Sequence, residues 1–234
     1  MKWVLRWLWL CALALVALQL FFVMRIAVMA VWAPQSTTFE RSEAWRIAGQ
    51  KGRLPWRQQW VDYAHISDNL KRAVLASEDD GFSNHDGVDW NALEKAWNKN
   101  AKAEQRAVTR APKVVGGSTI TQQLAKNLLL SGERTLLRKG QEFVLTMALE
   151  VLLSKQRILE IYLNNVEWGE GVFGAEAAAQ HYFSKSAAKL NAYEAARLAV
   201  MLPRPKYFEK LPNSAYLSGR AAVIAARLGN ARLP

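Results

Sequence analysis

The chain has one cysteine, Cys11, and it lies in an apolar amino-terminal run. No disulfide can form within the chain, so cysteine use does not report a redox compartment. Histidine is nearly as scarce. His65, His85 and His181 are far apart in sequence, and no Cys/His spacing of a metal site is present. There is no strand-like alternation of useful length and no internal repeat, which leaves helical periodicity as the organising signal. Acidic side chains are outnumbered, 20 against 31 Lys and Arg, giving a formal net charge of +11. That excess points to an anionic partner.

Between Trp7 and Met24 the only polar side chain is Gln19, and residues 26–32 are apolar again after Arg25. The run meets the roughly 18-residue threshold for a membrane-spanning helix. Trp3, Trp7, Trp9 and Trp32 suit interfacial belts, and Arg25 can snorkel to the far interface. A cleaved signal peptide is the competing reading, with a weak small-x-small site in Ala27-Val28-Met29-Ala30, but its apolar region is typically only about 7–15 residues. Lys2 and Arg6 precede the run, which predicts a cytoplasmic amino terminus with the rest of the chain outside the membrane. There the anionic partner is a lipid headgroup or a phosphate-bearing substrate rather than nucleic acid. About 200 residues remain after the anchor, enough for one packed domain. Residues 34–60 mix charge and tryptophan with Gly49, Gly52 and Pro55, and read as a juxtamembrane segment.

One stretch then dominates, Ser77 to Trp90. Five carboxylates (Glu78, Asp79, Asp80, Asp86 and Asp89) fall in twelve residues, interleaved with Gly81, Gly87, His85 and Phe82. Before it, Leu70, Ala73, Val74 and Leu75 have helical spacing, so residues 61–77 read as a helix starting near Asp62 or Ser67. Glu78 would sit at the helix C-terminus, where the dipole and partial burial both disfavour its charged form. That marks a candidate general base or acid. An acidic turn or a cation site is the alternative. Asp89 is a natural N-cap for a helix over residues 90–103.

A charged run over residues 104–113 reads as a loop, followed by Gly116-Gly117-Ser118-Thr119-Ile120-Thr121-Gln122-Gln123. A helix beginning near Ser118 would offer free N–H groups to an anion, with Thr119, Gln122, Gln123 and Lys126 on one side. A plain solvated helix face is equally compatible. Arg134, Arg138 and Glu142 follow at helical spacing, and residues 143–153 are apolar enough to predict a helix central to the core. Residues 167–174, with three glycines, read as a loop. Alanine-rich helices are expected over 175–183 and 191–202, and a last one over 215–228. The domain is expected to be mainly α.

Three of these stretches, in order, resemble the signatures of the peptidoglycan glycosyltransferases. Glu78-Asp79-x-x-Phe82-x-x-His85-x-Gly87-x-Asp89 is similar to the first, and Gly116 to Gln123 with Lys126-Asn127 to the second. Arg138-Lys139-x-x-Glu142, with Glu150, Ser154-Lys155 and Tyr162-Leu163-Asn164, is similar to the third. The resemblance covers residues 61–206 and implies a single transmembrane helix followed by a lysozyme-like helical domain. The implied division is 1–33 anchor, 34–60 juxtamembrane segment and 61–234 glycosyltransferase domain. It implies polymerisation of lipid II with inversion and loss of undecaprenyl pyrophosphate, by a single-pass protein of the bacterial inner membrane with a periplasmic domain. Glu78 and Glu142 would be the catalytic carboxylates, Glu78 as general base. Ser118, Thr119, Gln123, Lys126, Asn127, Arg134, Arg138 and Lys139 would bind substrate, with the cations near the pyrophosphate. Asp79 and His85 would hold the loop. Residues 104–113 would be a flap, and 167–174 with the aromatic segment before Val61 would face the membrane. No cofactor is expected to be required, although a divalent cation near the pyrophosphate is compatible. Expected partners are lipid II, the nascent glycan strand, membrane lipids and other cell-wall synthases or division proteins. The resemblance is to members without a penicillin-binding transpeptidase domain: Ser186-Ala187-Ala188-Lys189 fits one of that domain's motifs, but no Lys-Thr-Gly follows. A glycan-cleaving enzyme and a non-catalytic anchored scaffold are the rival readings. The basic set around Arg138 disfavours the first.

Overall fold

A computed structural model describes residues 2–106, 117–133 and 135–234, and the side chains of all of these except residues 100 and 102–106. The helices are α1 (Lys2–Met29), α2 (Thr38–Lys51), α3 (Asp68–Glu78), α4 (Trp90–Arg106), α5 (Ile120–Leu129), α6 (Leu136–Leu152), α7 (Lys155–Asn165), α8 (Ala175–Phe183), α9 (Ala192–Met201), α10 (Pro205–Phe208) and α11 (Ala215–Ala225). Among the described residues there are three short strands, β1 (Arg57–Gln58), β2 (Glu167–Gly169) and β3 (Val172–Phe173). The fold class is mainly α, as the sequence predicts.

Helix α1 stands largely clear of the rest. Its apolar side chains are exposed apart from Phe22, which is partly buried against the core, and Ile26 and Met29, which are buried. Gln19 and Gln141 of α6 exchange amide hydrogen bonds at 3.0 Å, and Arg157 Nε donates to Met29 O at 2.8 Å. Helix α6 is therefore not central. Leu145 and Leu149 face the core, but Leu136, Leu137, Phe143, Val144 and Val151 are exposed, because its apolar residues cover more than one face. Helix α7 holds the centre: every residue from Ile158 to Asn165 is buried. The alanines of α9 let it pack closely between α3 and α11.

The segment after the anchor departs most from expectation. Helix α2 is closed by a capping box, Glu40 N donating to Thr37 Oγ1 at 3.0 Å and Thr37 N to Glu40 Oε2 at 2.7 Å. It buries Ile47 and reaches α5 through a Thr38 hydroxyl bond to Leu128 O at 3.1 Å. Strand β1 pairs parallel with β3, and β2 antiparallel with β3, in the order β1-β3-β2. Residues 167–174 are thus a hairpin rather than a loop, buried except at Glu170. Trp168 is fully buried with its indole N–H on Leu198 O at 3.0 Å, and Trp56 stacks on Phe173 at 4.5 Å. Gly171 allows the tight turn: its φ is +76° and a Cβ would lie 2.1 Å from Pro55 O. The predicted 61–77 helix divides into a 3-10 turn (Tyr63–His65) and α3, which Ser67 caps by accepting from Leu70 N.

Candidate active site

Glu78 is the last residue of α3, and Asp79 is its C-cap. The Glu78 carboxyl is partly buried and accepts a hydrogen bond from Gln123 Nε2 at 3.1 Å, with a weaker interaction from the neighbouring Ser77 side chain. The Tyr162 hydroxyl donates to Gln123 Oε1 at 3.0 Å from the core side. That bond fixes the amide so that its NH2 group, not its oxygen, meets Glu78. Burial pushes the Glu78 carboxyl up from its ordinary range, opposed by the Gln123 donor and reinforced by the charge of Asp79. A carboxylate so held is a stronger proton acceptor than an exposed one.

The loop after Glu78 is tied down on three sides. Buried Asp79 accepts from Ile120 N at 2.9 Å, at the start of α5, and from His85 Nε2 at 2.9 Å. Gly87 N donates to His85 Nδ1 at 3.2 Å, so the second ring nitrogen must be the donor toward Asp79. Thr119 Oγ1 donates to Gly87 O at 2.6 Å while accepting from Gln122 N at 3.2 Å. Lys155 Nζ donates to His85 O at 2.5 Å and to Glu150 at 2.9 Å. Thr121 also donates to Glu150, at 2.6 Å. Asp89 caps α4, accepting from Ala92 N at 2.8 Å.

The N-cap of α5 is Thr119, one residue beyond Ser118, and Gln122 completes a capping box. Thr119 is 3% exposed and its hydroxyl is fully engaged, whereas Ser118 is exposed. Lys126 is exposed and Asn127 half-buried on α5. On α6, Glu142 is 4% exposed and accepts from Arg138 Nη1 at 2.8 Å and from Lys139 Nζ. This is not a surface pair, since Arg138 is itself largely buried and its Nε has no partner among the described residues. One turn on, Thr146 donates to Glu142 O at 2.8 Å and packs against Gly87. Arg134 and Gly116 lie outside the described residues, as do residues 107–113 of the charged run; residues 104–106 belong to α4.

Two features of the site escaped the sequence. Tyr162 was visible as part of the third motif and as an apolar-face residue of α7, but nothing in helical spacing signals where its hydroxyl points. The bond from Ile120 N to Asp79 joins residues 41 apart, and only the packed fold reveals it. Among the described residues there is no group of three or more His, Cys, Asp and Glu side chains arranged to hold a metal.

The arrangement matches known proteins over most of its length. Residues 48–229 match the family described as Transglycosylase. A biosynthetic peptidoglycan transglycosylase of Burkholderia thailandensis is 54% identical over 94% of this chain and 84% of its own length. Another, from Herminiimonas arsenicoxydans, is 52% identical over 97% of this chain and 96% of its own. A third, from Paraburkholderia phytofirmans, is 52% identical over 95% and 90%. With its helical domain behind one apolar amino-terminal helix, the chain belongs to the transglycosylase family and is a peptidoglycan glycosyltransferase.

Proposed function

We propose that this protein polymerises lipid II into linear glycan strands, with the growing strand as donor and lipid II as acceptor. The acceptor 4-hydroxyl attacks the anomeric carbon of the donor. Its proton passes to Glu78 as the new C–O bond forms. The bond from the anomeric carbon to the pyrophosphate breaks, and undecaprenyl pyrophosphate leaves with the electron pair. One displacement inverts the anomeric centre and needs no covalent glycosyl-enzyme. The observation that carries this reading is the Glu78 carboxyl: partly buried, raised in pKa by that burial, and held by an oriented donor, Gln123.

Arg138 and Lys139, with Lys126 and Arg134, neutralise the leaving pyrophosphate; arginine offers forked donors to phosphate oxygens. Glu142 holds Arg138 and Lys139 in position, which its two ion pairs support. Ser118, at the open end of α5, and Asn127 bind donor sugar or phosphate, and Thr119 fixes the loop against that end. The scheme uses no cofactor; a divalent cation beside the pyrophosphate is compatible with it. Lys2 and Arg6 before α1 favour a cytoplasmic amino terminus and a periplasmic domain in the inner membrane. Other cell-wall synthases or division proteins are the expected protein partners.

The test is polymerisation of purified labelled lipid II by the detergent-solubilised chain, beside Glu78→Gln. Long strands from the wild type, and a loss of at least about a hundredfold in a folded variant, are expected for removal of a general base. Equal polymer from both would reject Glu78 as the base. No polymer from the wild type would reject the substrate.

A further inference from the structure

Where α1 ends, the chain turns back toward α2 and encloses an open cleft of about 590 Å3. Its wall includes the larger side chains of Phe21, Met24, Arg25, Val28, Trp32 and Arg41, with Gln35 and Ser36 at its polar edge. Four of those six larger side chains are apolar and two are guanidinium groups. Arg25 is half-buried over the Phe21 ring at 5.8 Å, and among the described residues no carboxylate pairs with it. Arg41 is exposed and donates to Ser36 O at 3.2 Å, Ser36 Oγ at 2.9 Å and Thr38 Oγ1 at 3.1 Å, all neutral acceptors. Among the described residues neither makes a side-chain ion pair, and only Arg41 feels a nearby carboxylate, Glu40.

Depth in the membrane identifies the occupant. The apolar run over residues 7–24 is about 27 Å long at 1.5 Å per residue, close to the roughly 30 Å hydrocarbon core of a bilayer. Arg25 then sits at the outer edge of that core, and Trp32 lies in the interfacial layer above it. Headgroup phosphates lie at this level, with acyl chains directly below. A half-buried cation beside an apolar wall is costly without a counter-ion. A phospholipid supplies both parts at once, an anion for Arg25 and Arg41 and a chain for Phe21, Met24 and Val28.

We propose that this cleft is a binding site for one anionic phospholipid of the outer leaflet, its phosphate held by Arg25 and Arg41 and an acyl chain laid along α1. The site is separate from the Glu78 machinery and does not depend on the substrate assigned to it. The full chain, purified and exchanged into nanodiscs or detergent with defined phosphatidylglycerol and phosphatidylcholine, can be read by native mass spectrometry. The wild type should retain one phosphatidylglycerol in preference to phosphatidylcholine. Arg25→Gln should lose at least fivefold of that retention, and Arg25→Gln with Arg41→Gln more. Arg25→Lys should keep most of it. Lipid II polymerisation in phosphatidylcholine should be equal for wild type and Arg25→Gln, which shows that the variant is folded. Equal phosphatidylglycerol retention by wild type and Arg25→Gln overturns the proposal, as does an absence of headgroup preference in the wild type. Displacement of the lipid by stoichiometric undecaprenyl pyrophosphate also overturns it, because the cleft would then be a polyprenyl site.

Discussion

Glu78 is held by a chain of two hydrogen bonds that begins in the core. Tyr162 is 1% exposed, and burial raises its phenol well above its ordinary range, so it remains a donor throughout the working pH range. It has one orienting effect, to keep the carbonyl of Gln123 turned away from Glu78. In Tyr162→Phe the amide is free to rotate and present its oxygen to the carboxylate, which disfavours the charged base. Asp79 remains beside it, with its own charge already pushing in that direction. The acid limb of the polymerisation pH profile should therefore move to higher pH. A hydrogen bond of about 1 kcal/mol corresponds to a loss near fivefold on that limb, with much less on the alkaline plateau. A uniform loss at every pH would mean that Tyr162 is only a packing residue. Stability adds a second readout at the same carboxyl. A carboxyl whose folded pKa lies above its unfolded value disfavours folding once pH exceeds both. Glu78→Gln removes that penalty, so the inactive variant should melt no lower than the wild type at pH 8.

The element that positions Glu78 is the loop between α3 and α4, and its tightest point is Gly87. Its φ is +83°, and a Cβ there would lie 2.6 Å from Thr146 Cγ2 and 2.9 Å from Glu150 Cγ. Gly87→Ala combines left-handed strain with a clash against α6, about 1–3 kcal/mol. It should lower the melting temperature by several degrees and the polymerisation rate with it. Gly81→Ala is the control: its φ is ordinary and its nearest contact is Asp89 Oδ2 at 3.2 Å, so most of the stability should survive. Elements with a local signature were legible in the sequence. Ser67 before α3, Asp89 before α4 and Asn191 before α9 are side-chain caps followed by helical spacing, and each begins its helix. Helix α2 was hidden because Glu40, Arg41, Glu43 and Arg46 interrupt its apolar pattern and Gly49 lies inside it. The sheet was hidden because strands of two and three residues show no alternation, and β1 is held by pairing with β3, more than a hundred residues away. Helix α6 misled because strong apolarity reports removal from water, and part of its surface lies beside α1 and on exposed faces rather than in the core. The candidate site was legible as motifs, while the bonds that orient it join distant segments.

On the scale of the whole molecule, the two ends of the domain are joined through one charge cluster whose carboxylates are buried and whose cations are partly exposed. Glu43 and Arg46 of α2, Glu167 of β2 and Lys206 of α10 share it. Lys206 bonds to Glu43 and also lies 3.3 Å from Glu167, so one cation serves two carboxylates. Glu43 takes the better share: Arg46 and Lys206 outweigh its burial and lower its pKa. Glu167 is pushed up to about 7, chiefly by burial and then by the charge of Glu43, against the opposing pull of Lys206 and Arg46. Between its ordinary range and about 7 the folded chain holds more protons at this position than the unfolded chain, so stability falls as pH rises through that window. The full penalty stands above pH 7 and reaches at most about 3 kcal/mol at 1.36 kcal/mol per pKa unit. Glu167→Gln keeps the shape and removes the titration. At pH 8 it should melt above the wild type by up to roughly 6–12 °C, taking about 2–4 °C per kcal/mol for a chain of this size. At pH 5 the two should nearly coincide. A gap that persists unchanged at pH 5 would mean that the glutamine improves packing and that the charge of Glu167 is not what strains the junction between α2 and α10.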